Sequence, residues 1–549
     1  MLSTYLMTTA VQLCLLVLAI PGCGGAVSQS AGTELNKSPA SGSVAEGQEP
    51  AQAEPMSVDP IRQKIVDHRQ TLLEADRSMR FPDPLETTPE EEAAARRFGH
   101  LQALEINDYR EKNEFPPMIA FHQAKPLIEK SEVFQIIRRM PKGGALHIHS
   151  TAGGRAEWLV QECLRREDCY ICWPESTYAN GFLQHLVGEI RFSQTGAAPA
   201  GFIPIREALA TTPDLPSKLL QLLTIGAEDP RTRDRWFEFN NCFLRLGSIL
   251  SNDQAYREYF EDAFLTLAND GVMYVELRTG FPILYSSDGK PFPKERAISN
   301  YVEAMNSVRQ KFPEFDLRLI ASDWRGASTE DMVRNFRNAI DVMKKFPHLF
   351  VGYDLVGQET DNSPTSQLLN IWPALMNVCQ EQGHPFPTLL LHDGESDWAD
   401  DENLVDAHVL GTRRIGHGIN LYLFPSLEQE FRAGPTTLEV CPISNQTLGY
   451  VADVRLHPAN GYIRRGLTCV ISSDDPCILG NDGLSYDFWT VCMAWDLDLM
   501  TLRELARNSI RQSLLDEDKK KDRLDSFNRT WQTFIEHINQ TYPQPKLQI

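Results

Sequence analysis

The stretch TLLLHDGE (388–395) is an apolar run that ends in histidine, aspartate and glutamate. An apolar run of this length is typical of a strand in a parallel sheet, which is buried on both faces. Charged groups are costly at the end of a buried strand unless they have a partner or a function. The stretch therefore predicts a strand that carries a functional site at its C-terminal end.

Seven other runs combine an apolar strand pattern with polar residues at or near its end. They are ALHIH (145–149), VMYVELR (272–278), LRLIAS (317–322), LFVGYDLVG (349–357), RRIGHG (413–418), TLEVCPIS (437–444) and LTCVISSDD (467–475). Eight strands with intervening helical stretches predict an α/β fold, a closed parallel (β/α)₈ TIM barrel, with a doubly wound sheet as the alternative. The polar strand ends favour the barrel, because barrel enzymes build their sites there.

Two segments lie outside this repeating pattern. Helical periodicity begins near Pro60 and returns in SEVFQIIRRM (131–140), which predicts an N-terminal helical arm over 58–140. The barrel is then expected over 141–540. Its first two strands are too far apart for a single connecting helix, so an insertion is predicted at about 160–235.

The first 23 residues form an apolar segment that ends in small residues, which predicts a signal peptide. AIPGC resembles a bacterial lipobox, which would be cleaved before Cys23 and lipidated there; an ordinary secretory signal is the alternative. Pro21 and Gly22 interrupt the run, which argues against a transmembrane anchor. Residues 24–57 are rich in Ser, Gly, Ala, Glu and Pro and predict a disordered linker. The protein is expected to be exported, either secreted or anchored as a lipoprotein.

The net charge of −21 argues against nucleic acid or an anionic membrane surface as the partner. A small-molecule ligand is favoured instead. The eleven cysteines do not have the spacing of a small disulfide scaffold, and Cys441 and Cys469 are predicted to be core residues inside strands. Cys169 and Cys172 form a lone CxxC, which indicates either a metal site or a disulfide.

A group of metal-binding residue types follows the strand ends. His147 and His149 are two apart, so on a strand both side chains leave the same face and suit one metal ion, although an isolated HxH is more often incidental. The other strand ends add His392, Glu395, His417, Asp474 and Asp475. In a closed barrel these groups converge at one mouth, which predicts a metal-dependent active site.

Seven motifs resemble those of the adenosine deaminase family. They are MPKGGALHIHS, YVELR, DLVGQE, HDGES, RIGHG, EVCPISNQ and SSDDP. Two further segments resemble its secreted branch, the adenosine deaminase-related growth factors. They are the arm segment FPPMIAFHQAKPLIEKSEVFQIIRRMPKGGALH and the later GLSYDF. The resemblance covers about residues 110–535. It implies a barrel of the metal-dependent hydrolase type and, for the arm, a homodimer.

The resemblance also implies roles for individual residues. One Zn²⁺ per chain would be held by His147, His149, His392 and Asp474. The catalytic residues would be Glu395, which protonates N1 of the purine, and His417, which takes the proton of the attacking water or steadies the hydroxide. Substrate contacts would come from Asp475 at N7, the Gly357 amide at N3, and Ser150 and Trp398. Asp475 has an alternative role as the cap of the next helix.

Three positions depart from the pattern of the resembled family. Ser150 stands where the secreted branch commonly has Asp, which puts sugar recognition in doubt. Asp393 replaces a usual Ala and adds a charge beside the site. The insertion lacks a Cys between Cys172 and Cys242, so the disulfide expected in the secreted branch is not evident.

The resulting prediction is an exported zinc-dependent adenosine deaminase that converts adenosine and 2′-deoxyadenosine to the inosine products and ammonia. The alternatives are a catalytically weak, growth-factor-like binding protein and a metal hydrolase of another substrate. A cytidine-type zinc deaminase is set aside because its H-x-E and P-C-x-x-C motifs are missing. LFVGYDLVG has no lysine to bridge two metals, which favours a single ion.

Overall fold

The structure is a computed structural model that describes residues 60–81, 85–173, 178–179, 182–183, 185–193, 197–226 and 235–545. The predicted signal peptide and linker lie outside the described residues. From Asp67 to the C-terminus the chain forms one compact unit. Of the unit before it, Met1–Val66, only the beginning of one helix is described.

Eight parallel strands form the centre of the described chain. They are β1 (Gly143–His149), β2 (Val272–Thr279), β3 (Asp316–Trp324), β4 (Phe350–Val356), β5 (His392–Asp393), β6 (Arg414–His417), β7 (Thr437–Val440) and β8 (Cys469–Ile471). The strands β1 to β4 pair in that order, and so do β5 to β8. Bridges between Tyr353 and Leu389 and between Ile148 and Asp474 join the two sheets on both sides. The predicted (β/α)₈ barrel is thereby confirmed.

Several strands are shorter than the sequence predicts. The run 388–395 has a regular ladder only at His392–Asp393, with one isolated bridge at Leu389. The prediction that Cys441 lies inside a strand is wrong, because β7 ends at Val440 and a helix begins at Pro442. Proline at the first helical position is favourable, since its missing N–H would have no helical partner there.

Within the described residues, four helices and one 3₁₀ turn precede the barrel. They are α1 (Pro60–Ser78), α2 (Pro89–Lys112), the turn Pro116–Met118, α3 (Phe121–Ile128) and α4 (Glu132–Arg139). A capping box at Thr88 and Glu91 starts α2, because each side chain accepts from the other residue's backbone amide. The apolar face of α4 is buried, including Val133 and Ile137.

The described parts of the long connection between β1 and β2 hold five helices and short antiparallel strands. The helices are α5 (Ala156–Arg165), α6 (Ile205–Thr211), α7 (Leu215–Leu223), α8 (Arg235–Ile249) and α9 (Asp253–Asn269). The strands are Cys169–Ile171, Ile190–Phe192 and Ile203–Pro204 in one sheet, and Tyr178–Ala179 with Phe182–Leu183 in another. The described residues of the segment predicted as an insertion therefore fold as two small sheets with helices.

The remaining helices alternate with the strands and then close the chain. They are α10 (Glu295–Arg309), α11 (Thr329–Lys345), α12 (Ser366–Gln382), α13 (Asn403–Val409), α14 (Pro425–Ala433), α15 (Pro442–Thr447), α16 (Pro458–Arg464), α17 (Pro476–Leu479), α18 (Ser485–Trp495), α19 (Leu499–Arg511) and α20 (Glu517–Thr541), with 3₁₀ turns at Ile419–Leu423 and Val454–Leu456. Helix α19 packs against both β1 and β8. No helix in the described ranges has the length and apolar character needed to cross a membrane.

The barrel interior contains buried charges above a small apolar cluster. Leu146, Tyr274, Val470 and Leu515 form that cluster. The buried charged residues are Glu276, Arg278, Asp354, Arg414 and Glu439, each at most 1% exposed. Buried charges are tolerated when they pair with one another. The pairs found here lie directly beneath the residues at the mouth of the barrel.

Candidate metal centre and active site

Four side chains converge at the C-terminal ends of the strands. His147 and His149 come from β1, His392 begins β5, and Asp474 follows β8. One ligand atom from each lies within 4.8 Å of the others. The Nε2 atoms of His147 and His149 are both 3.2 Å from Asp474 Oδ1, and the Nε2 atoms of His149 and His392 are 3.1 Å apart.

The donor atoms of this group fit a divalent metal ion. His147 Nε2 and Asp474 Oδ1 are buried, and neither makes a well-aligned hydrogen bond within the part of the chain that the structure describes. Buried polar atoms without partners are costly, and such atoms pointing at a common centre indicate a ligand. Three imidazoles and one carboxylate are the donor types that Zn²⁺ accepts.

Carboxylates behind the histidines fix which ring nitrogens face the centre. His147 Nδ1 lies 2.8 Å from Glu439 Oε2, and His392 Nδ1 lies 2.8 Å from Asp354 Oδ2. A carboxylate accepts the Nδ1 proton, which leaves the Nε2 lone pair available for a metal. Burial lowers the pKa of His392 to about 3, so this ring is neutral.

One arginine connects these two carboxylates. Arg278 of β2 donates from Nε to Asp354 at 2.6 Å and from Nη2 to Glu439 at 2.5 Å. Burial alone would raise the pKa of the Glu439 carboxyl, but Arg278 and Arg414 hold it well below its ordinary value. A continuous chain of hydrogen bonds therefore runs from His147 to His392 through the barrel interior.

These supporting residues lie in motifs that indicated the family, but the sequence predicted no role for them. Arg278 lies in YVELR, Asp354 in DLVGQE and Glu439 in EVCPISNQ. Their polar side chains in otherwise apolar strands were the signal that could have identified them, because a buried charge needs a partner.

Two residues of the site have left-handed backbone conformations. His417 has φ 65° and Asp474 has φ 63°. Non-glycine residues seldom adopt this region, and those that do cluster at functional sites. Before His417, a Cβ on Gly416 would lie 2.8 Å from His147 Cε1, which explains the glycine in RIGHG.

Glu395 is held in a rigid, buried loop after β5. The backbone amides of Gly394 and Glu395 donate to the two carboxylate oxygens of Glu359 at 2.9 and 2.7 Å. Glu395 is 5% exposed, and burial, followed by the nearby Asp474 and Glu359 charges, raises the pKa of its carboxyl group well above the ordinary value. Both effects favour the neutral form of this carboxyl group.

Asp393, which departs from the resembled family, has its own buried partners. Its Oδ1 lies 3.3 Å from Arg325 Nη2 and accepts from the Thr365 hydroxyl. Arg325 Nη2 also donates to the carbonyl of His392. The additional carboxylate is thus paired with a guanidinium that touches the backbone of the candidate ligand.

His417 and Glu395 lie side by side, and both contact Asn445. His417 Nδ1 is 3.6 Å from Glu395 Oε1, and its Nε2 is 3.9 Å from Asp474 Oδ2. Asn445 Nδ2 lies 3.1 Å from His417 Nδ1 and 3.4 Å from Glu395 Oε1. Asn445 was another residue that sequence reasoning did not single out.

Asp475 has no capping role in the structure. It immediately precedes α17, but its side chain makes no capping hydrogen bond. Its buried Oδ1 has no hydrogen-bond partner among the described residues. Burial, followed by the adjacent Asp474, raises the pKa of the Asp475 carboxyl well above its ordinary value. This geometry suits a neutral carboxyl group directed at a ligand.

The other predicted substrate residues have different surroundings. Gly357 follows β4 with φ 112°, and a Cβ there would lie 3.0 Å from the Trp324 ring. Ser150 is buried, and its backbone amide donates to the carbonyl of Arg278 at 2.8 Å. Trp398 is 63% exposed, so the structure does not gather it into the buried group.

A second set of metal-binding types overlaps the first. One ligand atom from each of His417, Cys441 and Asp474 lies within 4.8 Å of the others. Asp474 is common to both sets, and the first set supplies four ligands where the second supplies three. The four-residue group is therefore the more complete metal site.

Comparison with known proteins identifies the family. The family model for adenosine deaminase matches residues 198–530, and the model for the adenosine/AMP deaminase N-terminal region matches residues 51–137. "Adenosine deaminase 2" of Sus scrofa and that of Homo sapiens are each 32% identical to this chain, and each alignment covers 86% of this chain and 94% of the relative.

Solved structures share the fold. Adenine deaminase from Arthrobacter aurescens has a TM-score of 0.51 at 20% identity, over 71% of this chain and 98% of that one. An amidohydrolase from Burkholderia ambifaria, solved with bound Zn, has a TM-score of 0.52 at 15% identity, over 74% and 94%. The matched domains and the full-length relatives agree with the resemblance carried by the strand-end motifs, and the chain belongs to the adenosine deaminase family of enzymes.

Proposed function

We propose that this protein is an exported, zinc-dependent adenosine deaminase. Adenosine or 2′-deoxyadenosine and water would give inosine or 2′-deoxyinosine and ammonia. The observation that carries the proposal is the buried Glu395, whose raised pKa favours the neutral acid, beside a cluster of three histidines and one aspartate that fits a metal ion. A proton donor next to a site that activates water is what hydrolytic deamination of a 6-aminopurine requires.

The metal site has a defined share in this chemistry. The ligands would be His147, His149, His392 and Asp474. Zinc bound by them supplies Lewis acidity that makes water nucleophilic near neutral pH. The carboxylates on the Nδ1 atoms keep two of the rings in the orientation and tautomer that binding needs.

Glu395 and Asp475 would recognise and activate the base. As water attacks C6, electrons move onto N1, and the neutral Glu395 donates its proton there. N7 of a purine is a hydrogen-bond acceptor, so the neutral Asp475 is suited to donate to it. The Gly357 amide would donate to N3. His417 lies between Glu395 and Asp474, where it takes the proton of the attacking water or steadies the hydroxide.

Export and assembly complete the proposal. The N-terminal segment supports secretion or lipid anchoring at Cys23. Helix α1 exposes Ile65, Val66 and Leu72, with 64%, 50% and 54% of their surface accessible. Exposed apolar side chains on one helix favour burial against a second copy, so a homodimer through the arm is proposed.

Glu395→Gln tests the proposed chemistry. The absorbance change from adenosine to inosine gives turnover, and metal analysis of the same sample gives occupancy. The variant should keep about one zinc per chain but lose turnover by roughly 10²–10⁴-fold, because the amide has no acidic proton. The exposed Glu402→Gln is the matched control and should behave as wild type.

The alternatives make different predictions for the same experiment. A catalytically weak binding protein would release no ammonia from adenosine even with full metal occupancy. A metal hydrolase of another substrate would likewise leave adenosine unchanged. Turnover of Glu395→Gln within tenfold of wild type would show that another group protonates N1.

A further inference from the structure

A series of buried hydrogen bonds begins at the N-terminus of α16 and ends at the catalytic groups. His457 precedes this helix and is 2% exposed. The Ala459 amide donates to His457 Nδ1 at 3.1 Å. Because a backbone amide can only donate, Nδ1 must be the acceptor. Burial lowers the pKa of His457 to about 3, so the ring is neutral and its single proton lies on Nε2.

The next contact fixes the orientation of an amide. His457 Nε2 lies 3.0 Å from Asn445 Oδ1. A protonated Nε2 needs an acceptor, and the oxygen is the acceptor of the Asn445 side chain. The Asn445 nitrogen must then face the other way, where it meets His417 Nδ1 at 3.1 Å and Glu395 Oε1 at 3.4 Å. An amide nitrogen has two hydrogens, one for each of these partners.

The amide nitrogen in turn fixes the proton of His417. Its Nδ1 accepts from Asn445, so Nδ1 carries no proton and the neutral ring is protonated on Nε2. That Nε2 lies 3.9 Å from Asp474 Oδ2, on the side of the metal ligands. An imidazolium would place an N–H against the amide N–H, which the geometry disfavours.

Glu395 is oriented by the same amide. Its Oε1 receives the second Asn445 hydrogen, so the proton of the neutral carboxyl group lies on Oε2. The oxygen that carries the proton is therefore the one left for the substrate base. The two catalytic side chains thus have their protons placed by one neighbouring residue.

We propose that His457, acting through Asn445, fixes the Nε2–H tautomer of His417 and so makes His417 a hydrogen-bond donor that steadies the attacking hydroxide. The proton of the water would then pass to solvent as the hydroxide forms, because a bound metal ion would bring the pKa of water toward neutrality. His457 is a positioning residue, since two hydrogen bonds separate it from the reaction. This inference rests on the proposed deaminase function and chooses between the two roles that the function leaves open for His417.

Two substitutions of His457 separate the proposed role from a structural one. In His457→Gln, the side-chain amide nitrogen can replace Nε2 as the donor to Asn445. In His457→Phe, the ring keeps its approximate shape but has no donor. Both variants lose the Nδ1 cap on α16, so capping and stability effects are shared between them, and only the donor to Asn445 differs.

The measurements are kcat and KM for adenosine, zinc content and Tm of each protein. His457→Gln should keep kcat within about threefold of wild type. His457→Phe should lose kcat by roughly 10–100-fold, the effect of misplacing catalytic protons, while KM and zinc content change by less than about threefold. Equal losses in both variants would assign His457 a capping role only and overturn the proposal, as would full activity in both.

Asn445→Asp provides a second test if His457→Phe does not fold. A carboxylate would accept from both His457 and His417, which moves the His417 proton to Nδ1. We expect zinc to be retained and kcat to fall by roughly 100-fold or more; wild-type kcat would overturn the proposal. If wild-type protein itself releases no ammonia from adenosine, the proposed function fails instead, which is a separate result.

Discussion

Asp354→Asn tests whether the carboxylates behind the histidines determine metal affinity. Asp354 accepts three hydrogen bonds, from His392 Nδ1 at 2.8 Å, from the His392 amide at 3.0 Å and from Arg278 Nε at 2.6 Å. An asparagine can keep the bond to the amide. Its NH₂ group would then face two donors, Nδ1–H and the guanidinium. His392 can relieve this conflict by moving its proton to Nε2, which removes the lone pair that the metal needs.

The expected loss of zinc affinity follows from the hydrogen bonds that change. A hydrogen bond to a charged group contributes about 1.5–3 kcal/mol, against about 1 kcal/mol for a neutral one. Loss of a carboxylate partner of a ligating histidine typically weakens metal binding by about 10–100-fold. We therefore expect the zinc dissociation constant of Asp354→Asn to rise by that factor, equivalent to about 1.4–2.7 kcal/mol.

Competition for zinc between the protein and a chromogenic chelator measures this constant without reference to turnover. Asp316→Asn is the matched control. Asp316 is also a buried carboxylate that accepts hydrogen bonds from two arginines, Arg309 at 2.6 Å and Arg318 at 3.1 Å, but it begins β3 at the opposite end of the barrel. Both variants should lower the Tm of the metal-free protein, whereas only Asp354→Asn should weaken zinc binding.

Two results would refute this reasoning. If folded Asp354→Asn bound zinc within threefold of wild type, the carboxylate would not set the tautomer of His392. If Asp316→Asn weakened zinc binding equally, the effect would come from general loss of barrel stability.

Three further predictions concern the sugar, the pH dependence of stability and the assembly. Ser150→Asp should lower KM for adenosine by up to about tenfold, because a carboxylate can accept two hydrogen bonds from the ribose. Steady-state kinetics measure this effect, with Ser150→Ala as the control. An unchanged KM would show that Ser150 does not face the sugar. Burial raises the pKa of Asp323 to about 6. The unfolded chain loses this proton near pH 4, whereas the folded protein keeps it up to about pH 6. The free energy of unfolding therefore falls by up to about 3 kcal/mol as the pH rises from about 4 to 6. Asp323→Asn should remove that loss, and its Tm should equal that of wild type at pH 4 and exceed it by roughly 2–5 °C at pH 7; a constant difference would contradict this assignment. Light scattering should give a dimer for the wild type and a monomer for a variant with Ile65→Glu and Leu72→Glu; a dimer that survives both charges would place the interface elsewhere.

The sequence alone was sufficient to predict the strands and the ends that carry polar residues. A buried parallel strand must be a short apolar run, and this local requirement is visible in ALHIH and TLLLHDGE. The HxH spacing follows from the two-residue repeat of a strand, so His147 and His149 could be paired without coordinates. The family resemblance then rested on motifs in which each residue type has a chemical reason.

Strand lengths could not be read from the same patterns. The apolar part of the run 388–395 is the three leucines at 389–391, but a strand exists only where a neighbour pairs with it, and regular pairing occurs at His392–Asp393. Cys441 looked like a strand residue because its side chain is apolar, whereas Pro442 starts a helix immediately after it. Hydrogen-bond ladders depend on a partner strand that is distant in sequence.

Only the tertiary structure revealed which residues support the site. Arg278, Asp354 and Glu439 come from three different strands and meet because the barrel closes. The same holds for His457 and Asn445, whose contacts decide where catalytic protons lie. Ligand types follow from local sequence because each must have suitable donor atoms. Proton positions depend instead on hydrogen bonds between distant segments, and those bonds exist only in the folded chain.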